Sequence, residues 1–245
     1  MPAARILPDI TLIATFHNEG RLAYTTLKSL ERCRANAELH GLFVEAIYIC
    51  DNVDETTFKF IKEFARNTDN EKIERVRFGD LSCSRNRGIS IARGRYIAIC
   101  DGDDLYSENW LAASYFFCES SSAQMLVHPA ITISFGALQG YTHTIDQLSN
   151  QFDADNLLMT NFWCSCVFGL KQHFIAYPYR QMRSDGKSSG FGYEDWHWNC
   201  ETVAAGLIHR PTPETALFYR RKAGSSLNAL QQQENATIPP TTFFA

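Results

Sequence analysis

Asp101-Gly102-Asp103-Asp104 places three carboxylates directly after the apolar run Arg95-Tyr-Ile-Ala-Ile-Cys100. That run reads as a buried strand, so the acids would stand at the edge of a core. Concentrated negative charge there is costly unless something positive neutralises it, and a divalent cation is the natural candidate. The plain alternative is a solvated acidic turn, since turns favour Asp and Gly. A calcium loop of the EF-hand type fails, because its next ligand position is Leu105 and its glycine position is Tyr106.

A second pair of acids, Glu194-Asp195, follows Gly190-Phe-Gly-Tyr193 and opens the aromatic stretch Trp196-His-Trp198. Acids at a helix start complement the helix dipole, which is the ordinary reason to find them there. The aromatic company adds a chemical reading. Large rings such as Tyr193 and Trp196 stack on sugar faces, and they desolvate a carboxylate and so make it a stronger base. Basic residues form a third group. Arg85, Arg87 and Arg93 precede the acidic strand, and Arg220-Arg221-Lys222 precede Gly224-Ser-Ser226. Cations beside a Gly/Ser turn can hold phosphate oxygens; ordinary surface charge is the better reading for Arg87 and Arg93. Gly186-Lys187-Ser188 is not a phosphate loop, because the required earlier glycine falls at Gln181.

The elements that must position these groups alternate in type. Apolar, β-rich runs at Ile10–Thr15, Phe43–Cys50, Ile73–Phe78 and Arg95–Cys100 read as strands. Helical spacing covers Arg21 to about Ala35, Glu55–Arg66 and Ser84–Arg93, the last stopped by Gly94. This β-α-β-α-β-α-β order predicts an open, mostly parallel sheet flanked by helices, with ligands beyond the carboxyl ends of the strands. Asp51 and Asp101 both fall at such ends. The second half is less regular. Strands are expected at Gln124–Pro129, Ala130–Phe135, Trp163–Phe168 and Leu217–Arg220, with a helix from Asp195 to about Ala205. One domain over residues 1–228 is expected, with residues 229–245 as a mobile tail or connector.

With 245 residues the chain can bury a full core, and a net charge of −4 gives no sign of nonspecific nucleic-acid binding. No apolar stretch is long enough to span a bilayer and no secretory leader is seen, so a cytoplasmic setting is expected, with peripheral contact at the inner face of the membrane left open. The eight cysteines read as reduced thiols rather than a disulfide framework. Cys164, Cys166, His197 and Cys200 match no compact zinc spacing.

Together these pieces resemble the family two glycosyltransferases of the GT-A (Rossmann-like) fold, over Ile10 to about Ser226. The stretch Ser84-Arg-Asn-Arg-Gly-Ile-Ser-Ile-Ala-Arg-Gly-Arg-Tyr-Ile-Ala-Ile-Cys-Asp-Gly-Asp-Asp104 is similar to the family's A-R-N-x-G … A-x-G-x-Y-I-x-x-L-D-x-D-D signature. Glu194-Asp195-Trp196 is similar to its E-D element, and Tyr219-Arg-Arg-Lys-Ala-Gly-Ser-Ser226 to its late Y-R-x-x-x-G-S segment. The resemblance implies a single domain whose nucleotide-sugar half spans about 1–105 and whose acceptor half spans about 106–228. It implies that Asp51 contacts the nucleotide base, and Arg85 the base or phosphates. Asp101 would lie by the ribose and metal, and Asp103 would be the main carboxylate on Mg²⁺ or Mn²⁺, with Asp104 behind it. Asp195 would be the general base, Glu194 its neighbour, and Trp196 and Tyr193 the acceptor surface. Arg220, Arg221 and Lys222 would close over the phosphates.

The implied reaction is metal-dependent, inverting transfer from a UDP-, GDP- or dTDP-sugar to a glycan or lipid-linked acceptor in glycan or polysaccharide assembly. Three departures stand out. His17-Asn-Glu-Gly20 replaces the common Tyr-Asn-Glu. Asp51-Asn-Val-Asp-Glu replaces Asp-Asp-Gly-Ser. Lys222 lies where many members carry His. Two other readings compete: a metal-dependent nucleotidyltransferase, for which the His17–Gly20 loop is a poor triphosphate cradle, and a non-catalytic sugar-binding module.

Overall fold

The computed structural model describes residues 7–65, 70–121, 124–184, 187–222 and 227–244. Its first half follows the alternation read from the sequence: β1 (Ile10–Phe16), α1 (Leu22–Leu39), β2 (Val44–Asp51), α2 (Glu55–Phe64), β3 (Glu71–Val76), α3 (Leu81–Ile91) and β4 (Tyr96–Asp101). These four strands pair in parallel in the order β3-β2-β1-β4. Every residue of β1 and β2 is buried, as expected for strands covered on both faces. In β4 burial persists to Cys100 and breaks at Asp101, so the chain leaves the core where its acids begin.

Asp80 starts α3 by accepting the Cys83 N–H at 2.8 Å, a standard N-cap. Gly88 then lets this helix lie close on the sheet, since a Cβ there would stand 2.4 Å from Ile13 Cγ2. That close approach carries Arg85, on the same helix, to the carboxyl edge of β4.

The second half completes the same sheet. It comprises β5 (Leu105–Tyr106), α4 (Trp110–Glu119), β6 (Met125–Gly136), β7 (Gly140–His143), β8 (Val167–Leu170), α5 (Lys171–Ala176), the two-residue strands β9 (Arg183–Ser184) and β10 (Lys187–Ser188), α6 (Glu194–Ala204) and β11 (Ile208–Arg221). The full order among the described residues is β3-β2-β1-β4-β8-β6-β11-β5, with β7 on β6 and β9–β10 apart as a small antiparallel pair. β8 is antiparallel to β4 and β6, while β6 and β11 run parallel.

Several expected boundaries change. The two strands expected either side of Pro129 are one, β6. The short strand expected at Leu217–Arg220 is the end of the 14-residue β11. Both cases share a cause. The β6–β11 register breaks between Thr212 and Ala216, opposite Pro129, and Pro211, Pro213 and the left-handed Glu214 (φ 59°) flank that break. Proline withdraws an N–H from a ladder and is tolerated at such bulges. The Thr215 hydroxyl accepts the Ala130 N–H there at 3.1 Å.

The C-terminal stretch, expected as a mobile tail or connector, is docked. Helix α7 (Leu227–Gln233) places Gln231 against Gly192. Gly192 N–H donates to Thr237 O at 3.0 Å, and Thr237 N–H to Gly190 O at 3.1 Å. Arg183 forks onto Glu234 at 2.8 and 3.1 Å, and Thr242 donates twice to Glu201 of α6. Gly186, Arg66 and the Gly224-Ser-Ser226 turn lie outside the described residues. Among the described residues no helix is long and apolar enough to cross a membrane.

Candidate active site

The acidic turn Gly102–Asp104 joins β4 to β5, and β5 pairs with β11 through Leu105↔Phe218 and Tyr106↔Leu217. Gly102 is required here, because a Cβ would stand 2.6 Å from both Thr15 O and Phe16 Cδ1. The Tyr106 hydroxyl closes the turn, accepting the Asp101 N–H at 2.7 Å and donating to Asp101 O at 3.0 Å.

Each acid of the turn has a different partner. Asp101 takes Arg85 Nη2 at 2.9 Å on one oxygen and Ser165 Oγ at 2.6 Å on the other. Burial pushes its pKa up, but Arg85 and Ser165 outweigh that and hold it below the usual carboxylate value. Asp103 is partly exposed and has Lys222 Nζ 2.6 Å from its Oδ2. Asp104 is buried and accepts the Arg220 N–H at 2.7 Å. Burial, then the charges of Asp103 and Asp101, raises its pKa well above normal. Glu19, in the loop after β1, is pushed up to about 7, mainly by burial, and it feels the charges of both Asp103 and Lys222.

The second pair of acids opens α6. Tyr193 precedes them with a left-handed backbone (φ 56°), uncommon for a side-chain-bearing residue. Glu194 is buried and accepts Arg85 Nη1 at 2.9 Å. Arg85 is itself wholly buried and lies over the Tyr179 ring, 5.2 Å from its centroid. Burial opposes its charge, but Asp101 and Glu194 outweigh that and raise its pKa. Asp195 accepts Asn161 Nδ2 at 3.1 Å and the Trp196 N–H at 2.9 Å. Burial, then the neighbouring charge of Glu194, pushes it up to about 7 against the pull of Arg85.

Asp195, Asn161, Tyr193, Trp196, Arg221 and Lys222 line one cavity of about 470 Å³. A depression of about 550 Å³ over α2, lined by Phe58 and Lys62, brings no such acid–base set together. The structure therefore joins the acid-rich turn, the Glu194–Asp195 pair and the end of β11, three segments far apart in the chain.

Of the other expected site residues, Arg220 lines the same cavity as Arg221 and Lys222, while Asp51 is engaged by a loop. Asp51 accepts the N–H groups of Phe78, Gly79 and Asp80 and the Ser84 hydroxyl, at 2.8–3.3 Å. A carboxylate offers about four lone-pair sites, and here the loop before α3 occupies them. Arg220 staples the acidic turn: its Nε donates to Asp103 O at 2.8 Å, and its guanidinium lies over the Phe135 ring. Arg221 stacks on Tyr219. Ser165, Asn161, Tyr106 and Tyr179 were not singled out from the sequence, because no periodicity or motif marks them.

The Mg²⁺ or Mn²⁺ expected at Asp103 and Asp101 does not fit this donor set. Both Asp101 oxygens are engaged, and one Asp103 oxygen carries an ammonium. Among the described residues no group of three or more His, Cys, Asp or Glu side chains is disposed to hold a metal.

The family described as Glycosyl transferase family 2 matches residues 11–178, more than half of the sequence. The chain belongs to glycosyl transferase family 2. The fold agrees with that membership. Residues 1–349 of S. aureus TarS in complex with UDP-GlcNAc superpose with a TM-score of 0.69 at 11% identity, over 90% of this chain and 61% of that one. The same region of TarS in complex with UDP gives 0.65 at 11%, over 93% and 70%. A longer S. aureus TarS structure gives 0.64 at 12%, over 88% of this chain and 37% of that one. This chain thus spans 61% of the first of these neighbours. No curated protein matches the sequence.

Proposed function

We propose that this family 2 glycosyltransferase moves a sugar from a nucleoside-diphosphate donor to an acceptor hydroxyl with inversion at the anomeric carbon. The observation that carries the reading is Asp195. It lies in the cavity, its oxygens are oriented by Asn161 and the Trp196 N–H, and its pKa is pushed up to about 7. A base poised near neutral pH is suited to accept a hydroxyl proton.

In this reading the acceptor oxygen attacks the anomeric carbon in line. The carbon–oxygen bond to the diphosphate breaks and its electron pair leaves with the diphosphate, while the hydroxyl proton passes to Asp195. Lys222 and Arg221, on the same cavity, stabilise the departing charge. Tyr193 and Trp196, edge to face at 6.1 Å, form an aromatic wall for the acceptor. Glu194 works through Arg85, which ties α6 to the acidic turn.

The UDP and UDP-GlcNAc complexes of TarS favour UDP among the candidate nucleotides. A glycan or lipid-linked acceptor in polysaccharide assembly suits an aromatic wall beside exposed Met159. The test is a panel of UDP-, GDP- and dTDP-sugars, read first by thermal shift and then by NMR of the product. Stabilisation by a nucleotide sugar and a product of inverted anomeric configuration support the proposal. A product that retains the donor configuration overturns it.

A further inference from the structure

We infer that the Lys222 ammonium supplies, at Asp103, the positive charge that a divalent cation would otherwise provide, so that the chain binds its nucleoside diphosphate without a metal ion. The inference rests on the donor class proposed above.

Four observations carry it. First, Lys222 lines the cavity and its Nζ lies 2.6 Å from Asp103 Oδ2, with both side chains 24% exposed, so the pair is reached from solvent rather than sealed in the core. Second, the other acids of the turn are spoken for. Arg85 and Ser165 fill Asp101, and Asp104 is buried on the backbone of Arg220. Third, the side chain on Asp103 is a lysine. Its ammonium has no lone pair to give a metal, and it sets like charge against any dication on the same carboxylate.

Fourth, the lysine is presented by a fixed strand end. Two residues before it, Arg220 is pinned to the turn by its N–H on Asp104 and its Nε on Asp103 O. An ammonium has three donors. One is used on Asp103, which leaves two for diphosphate oxygens, the point-charge phosphate contact that lysine makes well.

The test is calorimetry with UDP on the purified chain, in EDTA and in Mn²⁺. The wild type is expected to bind UDP with affinities within about twofold in the two conditions, and Lys222→Ala to lose about tenfold or more in both. Lys222→His, which supplies a ligand, is expected to recover binding only when Mn²⁺ is present. A wild type that loses about tenfold or more in EDTA, or a Lys222→Ala variant that binds UDP normally, overturns the inference. EPR of Mn²⁺ with the nucleotide-free protein gives an independent reading. Unbound Mn²⁺ supports the inference, and tight Mn²⁺ binding abolished by Asp103→Ala contradicts it. If no nucleoside diphosphate binds under any condition, the proposed donor class fails, and the EPR result still decides whether Asp103 takes a metal.

Discussion

Arg85 donates to Glu194 at 2.9 Å across 109 positions of sequence, and its other terminal nitrogen reaches Asp101 at the same distance. One buried guanidinium therefore joins the helix that carries the candidate base to the turn that carries the donor-side acids. Its planar fork spans two carboxylates, which a lysine cannot imitate. Removing it would leave buried Glu194 and half-buried Asp101 without their shared cation. Arg85→Met is expected to cost about 3–5 kcal/mol of stability, read by denaturant unfolding, with Arg85→Lys recovering only part. A near-wild-type Arg85→Met would mean that the two acids are neutralised by another route.

How much of this was legible in the sequence follows from the physics of each part. The parallel half was readable because its strands are continuous apolar runs that end in Asp51 and Asp101, with helices of clear spacing between them. Arg85 stands out in the sequence, but its double pairing does not, since Glu194 comes close only when α6 docks. The loop contacts of Asp51 are not readable in the sequence, because they need the turn after β3 in place. Helix α4 carries no clear helical period, because Trp110, Leu111, Ala112, Ser114 and Cys118 are all buried and leave little contrast between its faces. β11 was cut short by its prolines, whose tolerance depends on the bulge facing Pro129. The tail looked polar and Pro-rich, and its order comes from contacts with Gly192, Arg183 and Glu201 that local composition does not encode.

Asp195 sets the expected pH dependence. It must be ionised to accept a proton, so the rate should rise as pH passes through about 7, the value that burial and Glu194 impose. The sign for stability is opposite. A carboxyl whose folded pKa is raised stabilises the fold at low pH and loses that contribution as pH rises through the folded value. Asp195→Asn should therefore gain thermal stability relative to wild type between pH 5 and pH 8, by roughly 2–4 °C for each kcal/mol relieved. Parallel melting curves for the two proteins across that range would contradict the assigned shift.

Asn161 is a positioning residue for Asp195. Its Nδ2 donates to Asp195 at 3.1 Å, while its Oδ1 accepts Asn199 Nδ2 at 2.8 Å, so its orientation is fixed. A donor to the ionised carboxylate favours that form. Asn161→Ala should move the acid limb of the rate profile to higher pH and lower kcat by about 10–100-fold, with a much smaller change in donor KM. A lower rate with an unmoved limb would assign Asn161 a purely structural part.

The C-terminal segment should hold the loop before α6. Glu234→Ala breaks the fork with Arg183 and is expected to speed amide exchange at Gly192 and Thr237 by roughly fivefold. Exchange at those two amides, followed by mass spectrometry or NMR, reads this directly. Unchanged protection would mean that the α7 packing alone fixes the loop.

Asp195→Asn is the most direct test of the account, measured as sugar transfer and as UDP binding on the same preparation. Loss of transfer by about two to four orders of magnitude with UDP affinity preserved is the predicted result. Transfer at the wild-type rate in this variant would contradict the assignment of Asp195 as the base that activates the acceptor.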